Sequence, residues 1–285
     1  MNVFFVVAIF ILGTIIGSFL NVVLYRYNTG KGIGGRSQCF SCRRTLTWID
    51  LVPVFSYLFL GGKCRSCRSK ISMQYPAVEL LTGILFVASY LIDAHLFLLA
   101  PTMFLYELIY HLIVMSFLVL IIVYDIKHKI IPDAFAYSFA LVAVLHLFVG
   151  IDSGGGIILL QPQAWDMLAG AILAFPFYIL WLVSGGRWMG LGDAKLALGI
   201  GWFLGLTAGI TAIVVSFWIG AAISILLLLA IKMVKGLRKE VSASFRSKLP
   251  YLTIKSEVPF APFLIIGLLS VFFFRYTIFS TTLFF

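Results

Sequence analysis

Apolar stretches of about 20 residues, the length a helix needs to cross a bilayer, recur along this 285-residue chain. Inside lipid every backbone amide needs an internal partner, so such stretches are helices. Hydrophobic residues make up 62% of the chain and charged residues 11%. A soluble domain is about 45–50% apolar and about 25% charged, so a soluble helical core is set aside. The expected fold is all-α, a polytopic membrane helix bundle with a small cytoplasmic loop domain. The runs cover Val3–Tyr25, Ala77–Ile92, Thr102–Tyr124, Ala134–Gly150 and Trp165–Val183. Residues 194–231 are too long for one crossing, and the Gly201–Gly209 stretch offers a break. They divide into a short sixth and a long seventh segment, and an eighth begins near Pro262. The expected count is eight crossings, or seven if the sixth only re-enters the membrane.

Charge orients the bundle. Residues 26–70 hold nine Lys or Arg against one acid, and residues 232–257 hold seven against two. Lys127, Lys129, Arg187 and Lys195 fall in the two loops between them on the same side, which leaves Arg275 alone on the opposite face. Basic loops stay cytoplasmic, so the N-terminus is expected outside. The net charge of +10 then reflects topology and attraction to anionic headgroups of the lipid bilayer, not nucleic-acid binding. The first run lacks a charged n-region and leads straight into a basic loop, the pattern of a retained span rather than a cleaved signal. Two parts are expected: residues 1–76, the first span plus a four-cysteine loop, and residues 77–285, the remaining bundle.

All four cysteines lie in that loop, as Cys39-Phe-Ser-Cys42 and Cys64-Arg-Ser-Cys67, with 21 residues between the pairs. Two C-x-x-C knuckles suit a tetrahedral Zn²⁺ held by four thiolates. Disulfides are the competing reading, but they are rare in a reducing cytoplasm. Four thiolates leave no open coordination position, so the expected role is structural, with ligation stabilising a loop too poor in apolar residues to build a core.

Ionisable residues at membrane depth default to functional candidates. Asp125 directly follows the apolar run Phe117–Tyr124, and Asp193 stands in Gly190-Leu191-Gly192-Asp193, before a small-residue helix. Taken singly, Asp125 reads as a boundary charge beside Lys129 and Asp193 as a helix cap. Together, although 68 positions apart, they fall at one membrane edge. Two facing carboxylates can share a proton, one acting as base on water and the other as acid towards a carbonyl. Helix dipoles favour charge on Asp193, which opens a helix, over Asp125, which ends one. Asp133 reads as a loop cap or a positioner of the pair. Glu79 and Glu107 read as residues that shape the site or the bundle, and the scattered histidines lack metal-ligand spacing.

These residues together resemble the type IV prepilin (leader) peptidases, members of the GxGD membrane aspartyl proteases. Gly190–Asp193 matches the GxGD signature, and Asp125…Ile131-Pro132-Asp133 resembles the family's other aspartate motif. More specific are Gly17-Ser18-Phe19-Leu20-Asn21 through Arg26, both cysteine pairs, and Tyr75-Pro76-Ala77-Val78-Glu79 after them. One departure is Ala261 in Pro259–Phe263, where the family often has glycine. The resemblance implies that Asp125 and Asp193 form a catalytic dyad cutting the basic leader from prepilins or pseudopilins at the cytoplasmic face of the bacterial inner membrane. It also implies N-methylation of the new N-terminus from S-adenosylmethionine, an activity associated with the cysteine loop, although no residue pattern spells out the donor's site. A transporter using the aspartates as proton or cation relays is the alternative. It would place acids nearer the midplane and show repeated halves.

Overall fold

The computed structural model describes residues 3–30, 32, 34–152, 156–237 and 259–278. Most of the second basic loop, residues 238–258, lies outside the described residues, as does the chain beyond 278. The chain runs from α1 (Val3–Arg26) through a loop carrying a 3-10 turn (Trp48–Leu51) and α2 (Phe55–Phe59) to α3 (Gln74–Asp93). After α4 (Leu96–Leu99) come α5 (Pro101–His128) and α6 (Asp133–His146). A hairpin of β1 (Val149–Ile151) and β2 (Ile157–Leu159) leads to α7 (Ala164–Ser184), α8 (Leu191–Leu204), α9 (Leu206–Leu237) and α10 (Ala261–Phe274).

Among the described residues, five helices are long and apolar enough to cross a membrane: α1, α3, α5, α7 and, through Leu229, α9. Three shorter apolar helices, α6, α8 and α10, have 14 residues each. At 1.5 Å per residue each is about 21 Å long, short of the roughly 30 Å hydrocarbon core. The bundle is apolar on both its inner and its outer faces, as lipid requires. Ile11, Phe175 and Leu226 stand exposed on the periphery, while Val114, Met115, Leu118 and Ile121 of α5 are buried against Phe139, Leu264 and Leu268.

Apolar attraction between helices is weak when lipid is the solvent, so close packing carries the association. Small residues mark the crossings. A Cβ at Gly17 of α1 would come within 2.7 Å of the Glu79 Cα on α3, and one at Gly201 of α8 within 2.6 Å of the Ala169 carbonyl on α7. The expected break in residues 194–231 falls at Gly205, with φ 77° and ψ 177° separating α8 from α9. The expected fourth run to Gly150 is shorter. Its helix ends at His146, and residues 149–151 pair antiparallel with 157–159. That hairpin is the exception to an otherwise helical fold, since apolarity alone does not distinguish a short strand from the end of a helix.

Candidate active site and metal centre

Asp125 lies in the last turns of α5, which continues to His128 and closes on Lys129 in the left-handed region. The Lys129 amide donates to the Asp125 carbonyl at 2.7 Å. The side chains form no ion pair among the described residues, so the boundary-charge reading does not hold. Asp125 is buried, and its Oδ2 has no hydrogen-bond partner among the described residues. Its carboxyl faces the backbone amide of Ala261, where α10 begins.

Asp193 is equally withdrawn from solvent. It sits within the first turn of α8, because Gly190, not Asp193, is the cap residue. The Asp193 amide donates to the Gly190 carbonyl at 3.2 Å. Gly192 permits the approach, since a Cβ there would stand 2.8 Å from the Ile131 Cβ. Pro132 caps α6 in extended geometry, and Lys195 reaches Asp133 at 2.6 Å. The starts of α6, α8 and α10 therefore gather around the end of α5. The carboxyls of Asp125 and Asp193 come within electrostatic reach of one another there. The dipole argument that set the two apart loses its basis, because a helix start now stands beside each carboxyl.

The four cysteines converge in the loop after α1. Their Sγ atoms all lie within 4.8 Å of one another, and Cys39 and Cys67 approach to 3.7 Å. Zn–S bonds of about 2.3 Å in a tetrahedron require sulfurs about 3.8 Å apart, whereas a disulfide needs about 2.05 Å. All four thiols are free, and their donor set fits zinc. Each knuckle is built alike: the Arg43 amide closes on the Cys39 carbonyl, the Arg68 amide on that of Cys64, and Arg43 and Arg68 both take positive φ. The backbone amides of Cys42 and Ser41 hold the Cys39 thiol down to about 6. Bonds from the Ser69 side chain and backbone lower Cys67. Cys42, despite the Arg44 amide, is pushed up to about 11 by desolvation and the neighbouring sulfurs. Sulfurs this crowded cannot all ionise without a cation between them.

Residues 11–92 match the bacterial peptidase A24 N-terminal domain, and residues 112–225 match the type IV leader peptidase family. A prepilin leader peptidase/N-methyltransferase of Pectobacterium carotovorum subsp. carotovorum is 30% identical over 270 residues, covering 87% of this chain and 89% of that one. One of Bacillus subtilis (strain 168) is 35% identical over 217 residues, covering 75% and 79%. This chain belongs to the type IV leader peptidase family. A third relative of the same name, from Myxococcus xanthus (strain DK1622), is 34% identical over 233 residues, 79% of this chain and 64% of the longer relative. No solved structure matches the chain. The cysteines fall within the first matched segment and both aspartates within the second.

This leader peptidase family member also holds polar contacts that spacing did not disclose. Glu79 accepts the Val54 amide at 2.7 Å, and its carboxyl lies within electrostatic reach of the Ser18 hydroxyl, so α3 fixes the loop and meets α1 there. Asn21, 54 positions from Tyr75, donates to its carbonyl at 3.1 Å. Towards the other end of the bundle His111 pairs with Asp93 at 2.8 Å and His146 with Glu107 at 3.2 Å. These partners lie on different helices, and nothing in the linear spacing marks them.

Proposed function

We propose that Asp125 and Asp193 are the catalytic pair with which this chain, a prepilin leader peptidase and N-methyltransferase, cuts its substrates. The observation that carries the assignment is two buried aspartates, distant in sequence, within electrostatic reach at the meeting point of four helix ends. Two carboxyls within electrostatic reach of one another can share one proton and titrate as a unit. The ionised member takes a proton from water, and the protonated member donates to the scissile carbonyl. Burial excludes bulk water and strengthens the electrostatics. The substrates are prepilins or pseudopilins, and the basic loops favour a dyad at the cytoplasmic face of the inner membrane. A transporter finds no support, since the pair sits at one end of a bundle whose relatives are named as peptidases.

Cys39, Cys42, Cys64 and Cys67 would hold a structural Zn²⁺, which supplies folding energy to the loop and no chemistry at the dyad. Residues 1–76, the first span and the cysteine loop, are associated with methyl transfer, and residues 77–285 form the bundle that holds the cleavage pair. S-adenosylmethionine is the methyl donor. The test is incubation of the full chain with a prepilin and labelled donor, followed by mass measurement of the product's N-terminus. Cleavage with one added methyl group is expected. Cleavage that survives Asp125→Asn or Asp193→Asn would remove the dyad assignment.

A further inference from the structure

We propose that the cavity between α1, the cysteine loop and α3 is the methyl-donor site, and that the Glu79 carboxylate there is the charge partner of the donor's sulfonium. This rests on the reading of the chain as an enzyme that N-methylates as well as cleaves. The cavity has a volume of about 1290 Å³. Small-molecule sites usually enclose about 300–1,000 Å³, so an adenosine joined to an amino acid has ample room. Tyr25, Tyr57 and Tyr75 stand in its wall and offer flat faces to a purine or a cation.

Charge narrows the ligand class. The wall is rich in arginine and lysine, and its two acids are Asp50 and Glu79. Asp50 is engaged by Arg65 at 2.8 Å and by the Thr47 amide and hydroxyl. Glu79 is buried, accepts a hydrogen bond from the Val54 amide, and has no ion pair among the described residues. A buried carboxylate beside a cavity without a protein cation calls for one from the ligand. S-adenosylmethionine carries that charge on sulfur, and its demethylated product does not. Asn21, 2% exposed on the same wall, has an Oδ1 with no hydrogen-bond partner among the described residues, an acceptor available to a ligand N–H. Lys127, two residues beyond Asp125 in the same helix, also lines the cavity.

The experiment measures equilibrium binding of S-adenosylmethionine and of S-adenosylhomocysteine to the full, zinc-loaded chain in lipid nanodiscs. Glu79→Gln keeps an acceptor for the Val54 amide and removes the charge. It should weaken binding of the sulfonium compound by about tenfold or more and of the neutral thioether by less than about threefold. Equal losses, or none, overturn the assignment. Val22→Trp fills the cavity from α1 and should weaken both ligands, with zinc content and melting temperature confirming the fold. Undiminished binding of both overturns the site. Leader cleavage measured on the same preparations reports on the dyad separately. Wild-type protein that cleaves but binds neither ligand sinks the cavity assignment alone. Protein that discriminates by sulfur charge without cleaving upholds the site and sinks the peptidase reading.

Discussion

The cysteine centre and the aspartate pair are assembled in opposite ways. Each cysteine knuckle is local: two sulfurs three positions apart turn to one point because the amides of Arg43 and Arg68 close on Cys39 and Cys64. Only the meeting of the two knuckles needs the loop to fold, and a cation between the four sulfurs would drive that meeting. The aspartates have no local device. Asp125 ends one helix, Asp193 begins another, and packing alone holds their carboxyls together. A metal-organised site should fail when ligands or protons change. A packing-organised site should fail when a helix shifts by a few tenths of an ångström.

The largest expected effect lies at the pair. Asp125→Asn or Asp193→Asn should lower the leader-cleavage rate by about 10³-fold, and the double variant should be little worse, because the two act as a unit. Zinc content, read by metal analysis, should stay stoichiometric. An additive double variant would show that the carboxyls work independently.

Next comes the metal. Cys39→Ser with Cys42→Ser should abolish bound zinc and make the loop susceptible to proteolysis. Cleavage should fall by less than about tenfold, since packing holds the dyad on other helices. A loss of cleavage as large as that of the aspartate variants would break the contrast between the two sites. Protons should act in the same direction as the substitutions. A thiol held down to about 6 in the folded loop contributes stability above the ordinary thiol value of 9.0 and loses it as pH falls through about 6. Zinc content should therefore be full at pH 8 and decline below about pH 6, measured after equilibrium dialysis; constant content down to pH 4 would contradict this.

Packing at the pair is tested more gently by Gly192→Ala. The new Cβ would meet the Ile131 Cβ at 2.8 Å, so α8 must move away from the α5–α6 connection, at a cost of about 1–3 kcal/mol. Cleavage should fall about tenfold with zinc unchanged. The smallest effect belongs to Lys195→Met. Its partner Asp133 has a side chain 67% exposed, and such pairs contribute about 0–1 kcal/mol, so cleavage should change by less than about threefold. A larger loss would identify the ion pair as what aligns α6 with α8.

The sequence alone determined the membrane class, the cysteine centre and the two aspartates to ask about. Each of these is written in a local pattern: apolar runs of bilayer length, two C-x-x-C pairs, acids beside apolar stretches. It misjudged the end of α6, because apolarity does not separate a strand such as Val149–Ile151 from the end of a helix. Taken singly it read Asp193 as a cap, whereas α8 already starts on the Gly190 cap, three residues earlier. Tertiary structure decided the rest. It brought carboxyls 68 positions apart into one site, tied Val54 to Glu79, and enclosed a cavity beside them. Those contacts depend on how helices cross, and the crossings depend on where two surfaces can approach, as at Gly17 against Glu79 and Gly192 against Ile131. A glycine in the sequence permits such an approach, but only the folded bundle supplies the partner it meets.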